Sequence, residues 1–142
     1  NATYAVALGG ELSGEGGLTK KGNATLTVGG TNTFFGPLAV AEGTLVADNG
    51  LVNATNLSVT ASGAVLSLGS ADSLNTNAVL NIAAGGLVNL DFSGTATVST
   101  LIVNGSEKSP GTYGSEKPYF TGTGFLEVLN GPSPGGTLIS VL

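Results

Sequence analysis

The stretch GGLTKKGNATLTVGGTNTFFGPLAVAEGTLVADNG, Gly16 to Gly50, decides the fold. Three short runs stand between its glycines: TLTV at 25–28, LAV at 38–40 and TLVA at 44–47. Residues that alternate between apolar and small or polar types match a strand with one buried face. Extended outward, the runs become two interleaved series. In one, a glycine precedes a strand at Gly22 (GNATLTV), Gly43 (GTLVA), Gly63 (GAVLSL) and Gly86 (GLVNLDF), in steps of 21, 20 and 23 residues. In the other, LAV, LSV, LNI and LIV end at Val40, Val59, Ile82 and Val103, in steps of 19, 23 and 21.

A period near 21 with two strands per period predicts an all-β chain wound as a β-solenoid, each strand stacked on its equivalent in the next coil. Ala24, Leu26 and Val28 are expected to point inward, with Thr25 and Thr27 outward, and Ala64, Leu66 and Leu68 repeat the arrangement around Val65 and Ser67. No segment joins an apolar stripe of helical period to helix-forming neighbours, and 24 glycines oppose any helix. At about 4.8 Å per rung, five to six coils make a prism roughly 25 Å tall. Residues 1–142 read as one domain, with the first coil starting in the N-terminal stretch. The spacing breaks after Val103, so 104–124 reads as an inserted loop and a candidate binding element before the strand FLEVL at Phe125. The Gly/Pro-rich 130–136 reads as a linker before a last strand, TLISVL.

Composition excludes several functions. Lys20, Lys21, Lys108 and Lys117 are the only cations against nine carboxylates, for a net charge of −5. Nucleic-acid binding needs several phosphate-neutralising cations on one face, so no nucleic-acid partner is expected. No window reaches the ~20 apolar residues of a membrane span, so no membrane insertion is expected. Without His, Cys or Arg, neither Ser-His-Asp nor Cys-His catalysis can be built, and a zinc site would need carboxylates alone. Two carboxylates could still hydrolyse a glycosidic bond, so the acids need placing, but the chain reads as a non-enzyme with no cofactor and no metal.

Residues 16–47, with the pattern GLTK-G-TLTV-G-NT-G-L-V-GTL, resemble the autotransporter-associated β-strand repeat of exported bacterial proteins. Residues 101–129, LIVNGSEKSPGTYGSEKPYFTGTGFLEVL, are similar to the terminal unit that closes such arrays, and 48–100 fit by period alone. The resemblance implies a right-handed parallel β-helix, secretion and a bacterial, extracellular setting. It does not imply one activity. Chains of this appearance serve as autotransporter stalks, and also as accessory modules of polysaccharide-degrading enzymes, among them a β-helical xylan-binding family.

Sugar recognition needs aromatic faces for C–H patches and polar side chains for hydroxyls. With no Trp, the best constellation is Tyr113 and Tyr119 with Glu116 and Lys117 between them. Tyr113 lies in the GTYG of the terminal-unit pattern and could instead pin the loop to the prism. Phe34 takes the repeat's usual aromatic site and is expected to pack, whereas Phe35 stands where the repeat tends to have Thr and is either packed or an exposed contact. Asp48, Asp72 and Asp91 fall in comparable turns, as Asx-turns or as a stripe for Ca²⁺ or sugar hydroxyls. Asn53, Asn56, Asn75, Asn77 and Asn81 read either as internal ladders or as part of a flat polar face that binds glycan.

The expectation is a carbohydrate-binding module whose partner is a polysaccharide, xylan or a related β-glycan, and which is covalently linked to a secreted glycoside hydrolase. Its candidate residues are Tyr113, Tyr119, Lys117, Glu116, Phe35, Asp72 and Asn75. The alternative is a structural passenger or stalk segment of a surface protein.

Overall fold

The computed structural model describes residues 6–48 and 51–132, where every regular element is a strand. The first-coil residues 1–5, residues 133–136 of the Gly/Pro-rich stretch and the expected strand at 137–142 lie outside the described residues.

The two sequence series become two sides of a solenoid of about five turns. On one side β1 (Val6–Leu8), β3 (Thr25–Val28), β5 (Thr44–Ala47), β7 (Val65–Leu68), β9 (Leu87–Leu90) and β14 (Phe120–Gly122) pair in parallel, in that order. On a second side β2 (Leu18–Lys20), β4 (Leu38–Val40), β6 (Asn56–Val59), β8 (Val79–Ile82) and β11 (Thr100–Val103) do the same. A third side is mostly irregular at first, with Thr33 and Phe34 amides donating to Leu12 O and a parallel bridge between Leu51 and Leu74. It becomes a sheet only in the last coils, where β10 (Thr95–Val98) pairs with β15 (Phe125–Val128).

Register makes the core. Leu18, Leu38, Leu57, Leu80 and Leu101 are mutual partners along the second side and form one inward column. Val6, Leu26, Leu45, Leu66, Val88 and Phe120 form another on the first side. Each fully buried aliphatic side chain contributes about 1.5–3 kcal/mol, so a one-residue slip would turn a whole column to water. Val28, Ala64, Leu66 and Leu68 are buried as the alternation predicts, while Leu26 is only partly covered. Ser67, expected to face out, is also buried: Asn89 Nδ2 donates to its Oγ at 3.1 Å and covers it.

The stretch 104–124 closes the end. Asn104 and Gly105, with φ of 51° and 80°, make the two-residue turn that suits a tight hairpin. They fold β12 (Ser106–Glu107) antiparallel onto β11. After it β13 (Gly111–Tyr113) runs antiparallel along β15, and only β14 and β15 resume the parallel sense. The stretch expected as a loop thus contributes three strands to the cap.

Candidate functional site

Five of the eight aromatic residues, Phe92, Tyr113, Tyr119, Phe120 and Phe125, belong to the last coils and their cap. Tyr113 ends β13 half-buried, and its hydroxyl donates to Ser109 O at 2.6 Å. Lys117 Nζ lies 5.8 Å from the centre of its ring, a cation–π distance. The chain between them is a turn in which Lys117 N–H donates to Gly114 O at 3.0 Å and Gly114 N–H donates to Glu116 Oε2 at 3.1 Å. Glu116 is exposed, with one oxygen committed to the turn.

Tyr119 is held by its neighbour. Phe120 is buried in the inward column above Val88, and the two rings meet edge-on at 5.0 Å and 63°. Tyr119 stays half-buried beside a shallow cleft of about 290 Å³, bordered by Pro118, Asn104, Val103 and the turn at Ala83–Gly85. Burial raises its phenol above the ordinary 10.0, and the nearby Tyr113 and Glu116 push in the same direction. Tyr113, Glu116, Lys117 and Tyr119 are therefore one cluster.

Phe125 joins them unforeseen. Leu126 and Val128 on β15 face the core, so strand alternation turns Phe125 and Glu127 outward, and Phe125 is 46% exposed. Its ring lies over Gly114, where a Cβ would come 2.8 Å from Phe125 Cδ1 and 3.1 Å from Glu116 Oε1. The missing side chain at Gly114 lets an aromatic ring and a carboxylate share that spot. The signal was in the sequence, since alternation through FLEVL settles which residues face out.

The other expected residues lie elsewhere. Phe34 is buried and Phe35 is 61% exposed, but Phe35 sits in the coil of β3 and β4, about four rungs or roughly 19 Å from the cap. Asn75 and Asn53 are spent on the coil below, with Asn75 Nδ2 donating to Val52 O at 2.6 Å and Asn53 Nδ2 to Thr33 O at 3.2 Å. Asp72 is exposed, its amide donating to Ser70 Oγ. Asp48 and Asp91 do share a column after the first-side strands, but they lie two rungs apart with Gly69 on the rung between, and Asp72 lies three residues past Gly69. Two rungs are roughly 10 Å, too far for one cation, and no three acidic side chains gather among the described residues. Asp48, Asp72 and Asp91 therefore do not come together around one cation.

The sequence reading also missed Lys20, a cation turned inward, and Asn32, fully buried with its Oδ1 accepting from Leu12 N–H at 3.0 Å. Together the fold and the cluster define a capped β-solenoid with an aromatic and charged patch at its C-terminal end. No family model, curated protein or solved structure matches the chain.

Proposed function

We propose that this chain is a non-catalytic carbohydrate-binding module that holds a polysaccharide at its C-terminal cap. The observation that carries the reading is two partly exposed rings around one turn: Phe125 borders the spot at Gly114 that Glu116 Oε1 also borders, and Tyr119 lies within electrostatic reach of Glu116, with Lys117 in the same turn. Rings of this kind meet the C–H face of a sugar while the carboxylate and ammonium take its hydroxyls. One or two aromatic contacts and a few hydrogen bonds give net binding of about 4 kcal/mol, a Kd near 1 mM. An extended glycan that meets several such modules, or a module tethered to its enzyme, gains by effective concentration.

Xylan or a related plant cell-wall β-glycan is the polysaccharide proposed, and a linked secreted glycoside hydrolase the beneficiary, both by the family resemblance alone. Affinity electrophoresis against xylan, mannan and β-glucan, with and without Ca²⁺, tests the reading. Retardation by a β-glycan, unchanged by Ca²⁺, supports it, and free migration in every gel overturns it. A structural role as a passenger or stalk segment is the second reading. The edge at the other end of the solenoid favours it.

A further inference from the structure

The two ends of the solenoid differ. At the C-terminal end the antiparallel strands β12 and β13 are the last strands of two of the three sides among the described residues. At the N-terminal end β1 and β2 each have one strand partner among the described residues, on the side of β3 and β4. Their outer edges carry main-chain donors and acceptors in the parallel sense that the rungs below the C-terminal cap use. Inward-column residues are uncovered there: Val6 is 51% exposed, Leu8 40%, and Leu12 and Leu18 only partly buried. Between Leu12, Leu18 and Phe34 a cavity of about 420 Å³ opens into the end of the core, with Glu11 and Ser13 at its border. A cavity of roughly 150 Å³ already holds a benzene-sized group, so this one has room for more than one apolar side chain.

We infer that this end is a docking face for one further β-coil of the same period, whose strands pair in parallel with β1 and β2 and whose inward side chains fill the cavity. The face continues an interface the molecule already repeats along its length: Val6 heads the column Leu26, Leu45, Leu66, and Leu18 heads the column Leu38, Leu57, Leu80. A second copy fits it poorly. Head-to-tail stacking would set the antiparallel β12 against β2 and leave β13 facing a side that has no strand at that end. Head-to-head, a two-fold axis across the prism matches only one of three sides with its own counterpart. The inference is independent of glycan binding at the other end.

The test adds such a coil to the chain. A copy of residues 22–42 fused directly ahead of Tyr4 reproduces the 19-residue step from Leu26 to Leu45, placing the copied Leu26 in register with Val6. Amide exchange at β1 and β2 should slow on the order of tenfold or more, and the unfolding temperature should rise. The same extension with its copies of Leu26, Val28, Leu38 and Val40 changed to Ser should do neither. Unchanged exchange at β1 and β2 with the apolar extension would overturn the inference. So would a dimer of the unextended chain in sedimentation that Val6→Lys abolishes, which would make the occupant a second copy. Slow exchange in the unextended chain that is lost on deleting 133–142 would give the face to the chain's own C-terminal segment and equally overturn it.

Discussion

Lys20 Nζ donates to the main-chain oxygen of Glu42, one coil further on, at 3.3 Å. It also donates to Lys21 O and Gly22 O at 2.8 and 2.7 Å, while Glu42 Oε1 accepts from Gly22 N–H at 2.7 Å. Lys20 occupies the register position that Val40, Val59, Ile82 and Val103 fill in later coils, and it is buried like them. Its ammonium is tolerated there because three carbonyls replace water around it. The pair of residues clasps the first two coils at one corner.

Lys20→Met keeps the apolar stem and removes the clasp, leaving corner carbonyls without their donor. Stability should fall by about 1–3 kcal/mol, read by chemical denaturation, with glycan binding at the distant cap unchanged.

Gly43 and Gly63 lie in the turns that lead into β5 and β7, one residue out of register with each other, with φ of 71° and 84°. A Cβ at Gly43 would come 2.3 Å from Gly22 O and 2.8 Å from Lys20 Nζ, whereas one at Gly63 meets nothing within 4 Å. Gly63→Ala should cost only the left-handed backbone penalty of about 1–2 kcal/mol, and Gly43→Ala clearly more. Equal losses in the two unfolding curves would show that the corner at Lys20 gives way to the added methyl.

The spacing of Gly22, Gly43, Gly63 and Gly86 and the alternation around Leu26 and Leu66 were enough to read a stacked β-fold, because one short rung is copied along the chain. Lys20 was readable too: LTK precedes LAV by 20 residues, and the series extends backward if a cation is allowed an inward position. The reversal at the cap was harder, since β12 and β13 leave the period altogether. Asn104-Gly105 between LIV and SE was its only local sign, a hairpin turn. Four site residues within a seven-residue span, Tyr113 to Tyr119, came out as one cluster because one turn holds them. Phe35, Asp72 and Asn75 did not join it, since the coil on which a residue lies sets its height and composition says nothing of that.

Tyr113 and Tyr119 should separate stability from binding. Tyr113→Phe removes the hydroxyl bond to Ser109 O and should cost about 1 kcal/mol of stability while leaving glycan affinity nearly unchanged, as seen by thermal unfolding beside a titration.

Tyr119 sets an alkaline limit. Its folded phenol holds its proton above the ordinary 10.0, mainly through burial, so the unfolded chain ionises first as pH rises. The stability linked to this proton is therefore complete below about pH 10 and is lost as pH climbs through the folded value. Unfolding temperatures measured between pH 8 and 11.5 should fall less steeply for Tyr119→Phe than for the parent chain. Parallel curves would show that Tyr119 is not the group responsible.

The most direct measurement of the central claim is a two-dimensional NMR titration of the chain with xylo-oligosaccharides, repeated on Phe125→Ala. Shifts should concentrate at Tyr113, Gly114, Glu116, Lys117, Tyr119 and Phe125, and the variant should keep its fold while binding roughly two- to tenfold more weakly, the worth of one aromatic contact. A spectrum unmoved by saturating oligosaccharide, or shifts centred on Phe35 with the cap silent, would contradict binding at the C-terminal cap.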